Sequence, residues 1–186
     1  MVSPQVSRGF VAVVPPDDVL DAAEAVLDRV TLPAGARRTA RPKLHLTVRF
    51  LGNRVRFERT EALLRDLDLR GGEARLGRAG AFPHARRGDV LWIGLAEGAG
   101  VLAGLHAAVD AAYDPHRPAD QRPPRFHPHL TVARCRIPVD LRPAVAELGS
   151  GPVGRAWPVE EIVLVRSHLG GGPAVYEEQA RIPLTR

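Results

Sequence analysis

Two histidines in this chain each stand two residues before a threonine, in the same tetrapeptide: His45-Leu46-Thr47-Val48 and His129-Leu130-Thr131-Val132. Chance pairing of 7 His and 6 Thr in 186 residues gives only about 0.2 His-x-Thr triplets, so two copies that also agree at both apolar positions call for a chemical reason. Side chains alternate faces along a strand. In extended backbone His45 and Thr47 therefore share one face, Leu46 and Val48 the other, and the second copy repeats this. Two imidazoles can divide acid–base work, one accepting a proton and one donating it. Two threonine hydroxyls can donate hydrogen bonds to non-bridging phosphate oxygens. If the copies face each other across a cleft, the set suits in-line displacement at phosphorus, one histidine activating the entering oxygen and the other protonating the leaving oxygen. That chemistry needs no metal, and the sequence has no conspicuous carboxylate cluster to hold one.

The elements that must position these residues read as short strands alternating with helices. GFVAVVP (9–15) is a buried strand stopped by Pro15-Pro16, and Asp17 or Asp18 can cap the helix that follows, whose apolar stripe runs from Val19 to Val30. An arginine-rich loop leads into KLHLTVRFLG, the first motif strand. A second helix is predicted over 57–67 and strands near 73–81 and 89–95. From DVLWIGL the order restarts: the helix GVLAGLHAAVDAAY, a loop rich in Pro and Arg, the motif strand HPHLTVARC, the short helix LRPAVAEL and the strand VEEIVLVRS. VYEEQARIPL closes the chain. Phe10 precedes His45, and Trp92 precedes His129, by nearly the same interval. The pattern predicts a pseudo-two-fold repeat: residues 1–186 as a single domain of two intimately packed lobes, each carrying one motif.

Composition narrows the class. The hydrophobic fraction is 45% and the charged fraction 25%, as in ordinary globular domains. One cysteine, Cys135, forms no internal disulfide and no cysteine-rich zinc site, so a reducing cytoplasm is the expected compartment. The stretch MVSPQVSRGF lacks a basic segment followed by an apolar one, so a signal peptide is not expected. No apolar run is long enough to span a bilayer as a helix. Net charge is +5, and every basic residue except Lys43 is an arginine, whose fork matches phosphate oxygens in pairs. A polyanion such as RNA is one reading; a compositional bias toward Arg, Ala, Gly and Pro is the other.

At the paired motifs the sequence resembles the two-histidine (2H) phosphoesterase superfamily, and within it the RNA 2′,3′-cyclic phosphodiesterases, also called 2′-5′ RNA ligases. RGFVAVVPP, LHLTVRFLGN, FHPHLTVARC and the closing VRSHLGGGPAVYEEQARIPL all match that branch. The resemblance implies a bilobal α+β fold, antiparallel sheets lining a central cleft with helices outside. It implies metal-independent hydrolysis of a terminal 2′,3′-cyclic phosphate to a 2′-phosphate, with reversible 2′-5′ ligation as a second direction and no cofactor. His45 would be the proton donor and His129 the acceptor, with Thr47 and Thr131 on the phosphate. Arg134 would also meet the phosphate and Phe50 would stack on a base. Plain alternation puts Arg134 opposite His129 and Phe50 opposite His45, so Arg134 needs a bend or bulge after Thr131. The implied partner is an RNA or oligonucleotide end bound by a monomer, with no membrane and no metal.

Other readings remain open at this point. A non-catalytic RNA-end-binding module would keep the cleft without needing a proton donor. A 2H enzyme could act on a small cyclic nucleotide such as ADP-ribose cyclic phosphate. A zinc hydrolase using His45, His127 and His129 would want an acidic ligand and base that are not evident. His127 is expected on the cleft rim, and His84, His106, His116 and His168 at the surface or satisfied in the core. Arg37, Arg38, Arg41, Arg86, Arg87, Arg122 and Arg125 could guide RNA or form solvated loops. Gly170-Gly171-Gly172 lacks a Walker lysine and reads as a hairpin turn.

Overall fold

Apolar runs punctuated by glycine and proline resolve into strands β1 (Arg8–Val13), β2 (Ala36–Arg38), β3 (Leu46–Gly52), β4 (Gly72–Phe82), β5 (Gly88–Glu97), β6 (Leu130–Val139), β7 (Pro152–Val159), β8 (Glu161–His168) and β9 (Val175–Pro183). The helices are α1 (Asp17–Leu27), α2 (Phe57–Arg65), α3 (Ala99–Tyr113) and α4 (Arg142–Leu148). The structure, a computed structural model, describes residues 8–116, 126–168 and 174–186. Arg122, Arg125 and Gly170 to Gly172 lie outside the described residues. None of the described helices is long and apolar enough to cross a membrane.

The strands form one nine-stranded sheet in the order β7-β4-β5-β6-β3-β1-β8-β9, with β2 pairing β6. Every pairing between these strands is antiparallel. The fold is thus α+β, as the sequence implies. The sheet order reads symmetrically outward from the centre: the motif strands β3 and β6 are neighbours, flanked by β1 and β5, then β8 and β4, then β9 and β7. The repeated order is visible in β1-α1-β3-α2 and β5-α3-β6-α4, but β4 pairs with β5, on the second motif's side. The strand that completes the first motif's half is β8, from the far end of the chain.

At the centre the two motif strands share a single residue pair, Leu46 with Leu130, and β2 adds the pairs of Ala36, Arg37 and Arg38 with β6. Both leucines are fully buried in the main apolar cluster, which also takes in Val11, Val13, Val48 and Val132. The helices supply the other side of that cluster: α1 packs on β7, α3 on β3, α4 on β4 and α2 on β9. On the opposite sheet face is a small cluster of Phe10, Ala12, Val163 and Val165 with Tyr176 against it. One face of the sheet is therefore the helix-roofed core, and the other carries, among the described residues, only this small apolar cluster.

Two local expectations need correcting. The sequence pattern starts a strand at Val159, whereas Val159 ends β7 and β8 begins at Glu161. The strand PVGRAWPV hides behind Pro152, Pro158 and a Gly154 at φ +67, residues that argue against a central strand but suit the sheet edge where β7 lies. At α1 the N-cap is Pro16, with Asp17 and Asp18 in the first turn, where their charges favour the helix dipole without capping it.

Because Leu130 holds the one pair between the two motif strands and is fully buried, truncating it creates a cavity at the seam. Leu130→Ala is expected to lower unfolding free energy by about 2–5 kcal/mol, read from the shift of a urea transition.

Candidate active site

The Leu46–Leu130 pair sets the geometry of both motifs. In an antiparallel ladder, one step either way from this pair brings His45 opposite Thr131 and Thr47 opposite His129. Directly opposed side chains have Cβ atoms roughly 4.5–5.5 Å apart. With the two leucines buried in the core, the four polar side chains stand together on the open face.

Each imidazole is held in the same way. His45 Nδ1 donates to the Lys43 carbonyl at 2.8 Å, and His129 Nδ1 donates to the His127 carbonyl at 2.7 Å. A carbonyl oxygen only accepts, so both rings carry hydrogen on Nδ1, and in the neutral form Nε2 is the free acceptor. Thr47 Oγ1 lies 3.1 Å from His45 Nε2, and in that tautomer the hydroxyl donates. Burial pushes the His45 pKa down to about 4, helped by the charges of His129 and Arg134 and opposed by the bond to Lys43. His129 is also lowered, by burial first and then by His127 and Arg134, against its own carbonyl bond. Without a ligand both rings are neutral at neutral pH, and added positive charge on either one raises the cost of charging the other.

Aromatic rings wall in each histidine. Phe10 stacks on His45 with centroids 4.7 Å apart, and Tyr176 meets the His45 ring edge-on at 5.6 Å. Phe82 meets His129 edge-on at 4.9 Å, and Trp92 stands 6.2 Å from it. The matched spacing of Phe10 and Trp92 in the sequence thus corresponds to matched places beside the two motif rings. His127 is exposed and packs 4.5 Å from Trp92. A glycine is required at position 80, because a Cβ there would lie 2.1 Å from the Trp92 indole. Phe82 was not legible in advance: it sits in a turn-rich stretch with no helical or strand periodicity to mark it.

A bulge follows each motif. Across β1 and β3, Ala12 pairs with Thr47 but Val11 pairs with Arg49, leaving Val48 as an extra residue. Across β5 and β6, Trp92 pairs with Thr131 but Leu91 pairs with Ala133, leaving Val132 extra. Val48 and Arg49 are buried in succession, as are Val132 and Ala133. One extra residue resets alternation. Phe50 and Arg134, each three residues beyond its motif threonine, therefore return to the motif face, which plain alternation denied them. Phe50 is 71% exposed with its ring 6.2 Å from Phe10. Arg134 is exposed and its charge reaches both imidazoles.

The β3 bulge is held from α3. His106 Nδ1 donates to the Val48 carbonyl at 2.7 Å, and its ring stacks on Phe126 at 4.2 Å, just ahead of the second motif. Buried Arg49 pairs with Asp110 at 2.7 Å and donates to the Phe50 carbonyl at 2.9 Å. Tyr113 Oη donates to the Leu51 carbonyl at 3.1 Å. His106 is thus a satisfied histidine that supports the site from behind. His168 bonds Glu177 at 2.6 Å, and His84 and His116 are exposed. Of the basic loop, Arg41 is engaged by Asp17, Asp21 and Glu24, and Arg38 pairs with Asp28. Arg37 faces Arg134 across the β2–β6 ladder, and Arg86 and Arg87 are exposed. Among the described residues, no three His, Cys, Asp or Glu side chains are grouped to hold a metal ion.

Comparison with known proteins gives the same outline. Residues 15–171 match the 2′-5′ RNA ligase superfamily. The chain is 34% identical over 179 residues to a Thermus thermophilus protein named RNA 2′,3′-cyclic phosphodiesterase, covering 91% of this chain and 86% of that one. The crystal structure of E. coli LigT in apo form superposes with a TM-score of 0.76 at 25% identity, covering 97% of this chain and 98% of LigT. LigT complexed with 3′-AMP gives 0.74 at the same identity and coverage.

The lowered histidine pKa values carry a stability consequence. An unfolded histidine binds a proton below its ordinary 6.5, while folded His45 resists doing so down to about 4. Stability is therefore complete above pH 6.5, falls as pH drops toward 4, and stops falling from this source below that. The slope reaches about 1.4 kcal/mol per pH unit for His45. Urea titrations across this window should show a shallower slope for His45→Gln than for the wild type.

Proposed function

The chain belongs to the 2′-5′ RNA ligase superfamily, and on that premise we propose that it is an RNA 2′,3′-cyclic phosphodiesterase that opens a terminal 2′,3′-cyclic phosphate to a 2′-phosphate. The observation that most supports this is the Leu46–Leu130 register, from which two imidazoles and two hydroxyls share one face. A named relative of this activity at 34% identity supports the substrate class.

In the proposed reaction the cyclic phosphate anion lies between the two rings. Thr47 and Thr131 donate to its non-bridging oxygens, and Arg134 offsets its charge. The anion also counters the positive charges that depress His45, so His45 takes up a proton at Nε2 while keeping its Nδ1–H bond to Lys43. Thr47 then no longer donates to that ring, and its hydroxyl hydrogen turns to the phosphate. Neutral His129 accepts a proton from water through Nε2 as the water oxygen bonds to phosphorus. The bond from phosphorus to the 3′-oxygen breaks as His45 Nε2 gives that oxygen its proton. Solvent exchange afterwards restores both rings. A 5′-hydroxyl in place of water forms a 2′-5′ linkage by the same steps, and the reverse path cleaves it. No step passes through a metal. Phe50 stacks on a base, contributing roughly 1–3 kcal/mol. We take the whole chain as one domain of two lobes, acting as a monomer in the cytoplasm.

The test is product analysis on an oligonucleotide ending in a 2′,3′-cyclic phosphate. The expected product is the 2′-phosphate, formed at an undiminished rate in excess chelator. His45→Ala and His129→Ala should each lower kcat by about 10²- to 10⁴-fold with melting behaviour that still shows a folded protein. Hydrolysis that survives either substitution rejects the acid–base assignment, and salt-sensitive RNA binding without product would favour a binding module instead.

A further inference from the structure

A groove of about 500 Å³ opens beside His45. It lies on the side of β3 away from β6, over β1, β8 and β9. Its floor is Ala12, Val163 and Val165, its aromatic sides are Phe10 and Tyr176, and His45 forms the wall it shares with the motif face. That volume is within the range of nucleoside-sized binding sites. Phe50 does not line it and stands on the other side of Phe10, its ring 6.2 Å from that one.

The charges around the groove select its occupant. Arg41 at one rim is engaged by Asp17, Asp21 and Glu24, and Arg181 at the other by Glu178 and Glu161. Carboxylates outnumber guanidiniums in both groups, so a phosphate inside the groove meets net repulsion. An uncharged flat ring meets an apolar floor and two aromatic side chains. Lys43, the chain's one lysine, stands at the lip two residues before His45, with Nζ 5.8 Å from the Tyr176 ring centroid. It takes part in none of the ion pairs among the described residues. A cation at the lip and an apolar interior fit a nucleobase inside with its linking phosphate outside.

We propose that this groove is a subsite for a second nucleoside, so that the full substrate is an oligonucleotide end of at least two nucleotides rather than a cyclic mononucleotide. The inference rests on the cyclic phosphodiesterase reading. In it, the base next to the cyclic-phosphate nucleotide lies against the Phe10–Tyr176 pair, whose rings meet edge-on at 5.0 Å, and over the Val163–Val165 floor, and Lys43 meets the phosphate joining the two nucleotides.

The experiment compares kcat/KM for a dinucleotide ending in a 2′,3′-cyclic phosphate with that for the matching nucleoside 2′,3′-cyclic phosphate. One buried base stack predicts a wild-type preference for the dinucleotide of about 5- to 150-fold. Val14 lines the groove and is 44% exposed, so Val14→Trp can fill the space without disturbing the core. This variant is expected to bring the ratio to about one. Lys43→Gln alters only a side chain at the lip. It should lower the ratio and flatten the salt dependence of the dinucleotide's KM, and it decides the matter should Val14→Trp fail to fold. A wild-type ratio already near one, or a folded Val14→Trp that keeps the wild-type ratio, overturns the inference while the phosphodiesterase reading stands. Wild-type protein that hydrolyses neither substrate overturns both.

Discussion

Everything at the centre of this molecule depends on one buried contact across the seam of the sheet. Leu46 and Leu130 form the only pair between the two motif strands, and both side chains face the helix-covered core. Their burial is non-negotiable on the scale of a small domain's stability, since each contributes roughly 1.5–3 kcal/mol. The residues on either side of each leucine must then project the other way. The catalytic candidates are positioned by hydrophobic side chains they never touch, and a one-residue slip in this register would exchange every leucine for a histidine or threonine.

The strands depart from regular geometry where the site needs more than alternation offers. Matching bulges after Thr47 and Thr131 return Phe50 and Arg134 to the motif face. On β3 the Val48 and Leu51 carbonyl oxygens accept hydrogen bonds from α3, from His106 and Tyr113 respectively. The ion pair of Arg49 with Asp110 keeps a buried guanidinium from being left uncompensated, which would cost several kcal/mol. Because His106 also stacks on Phe126, the same side chain touches the approach to the second motif. One half of the molecule thereby braces the site strand of the other.

Charge is distributed more locally than a net +5 implies. Arg38, Arg41, Arg65, Arg142 and Arg181 are engaged by nearby carboxylates. Arg134 and Arg37 are instead brought side by side on β6 and β2 near the motif face. Positive potential is therefore concentrated where the two lowered histidines lie, and the groove beyond His45 is bordered by acidic groups. A ligand is sorted by this pattern into a charged part over the motifs and an uncharged part beside them.

The sequence alone determined the family and the faces. A tetrapeptide repeated with His and Thr at strand spacing needs no tertiary information to present both groups together, because alternation is a local property of extended backbone. The same local logic located the helices and most strands, since their apolar periodicities are strong. It failed at β7, where prolines suited to a sheet edge broke the strand pattern, and at Phe50 and Arg134, whose parity depends on an extra residue that no local preference announces. It was also silent on Phe82, on the pinning of β3 by His106, and on which arginines are already neutralised. These features are decided by partners far away in the chain, and only the folded sheet brings those partners within reach.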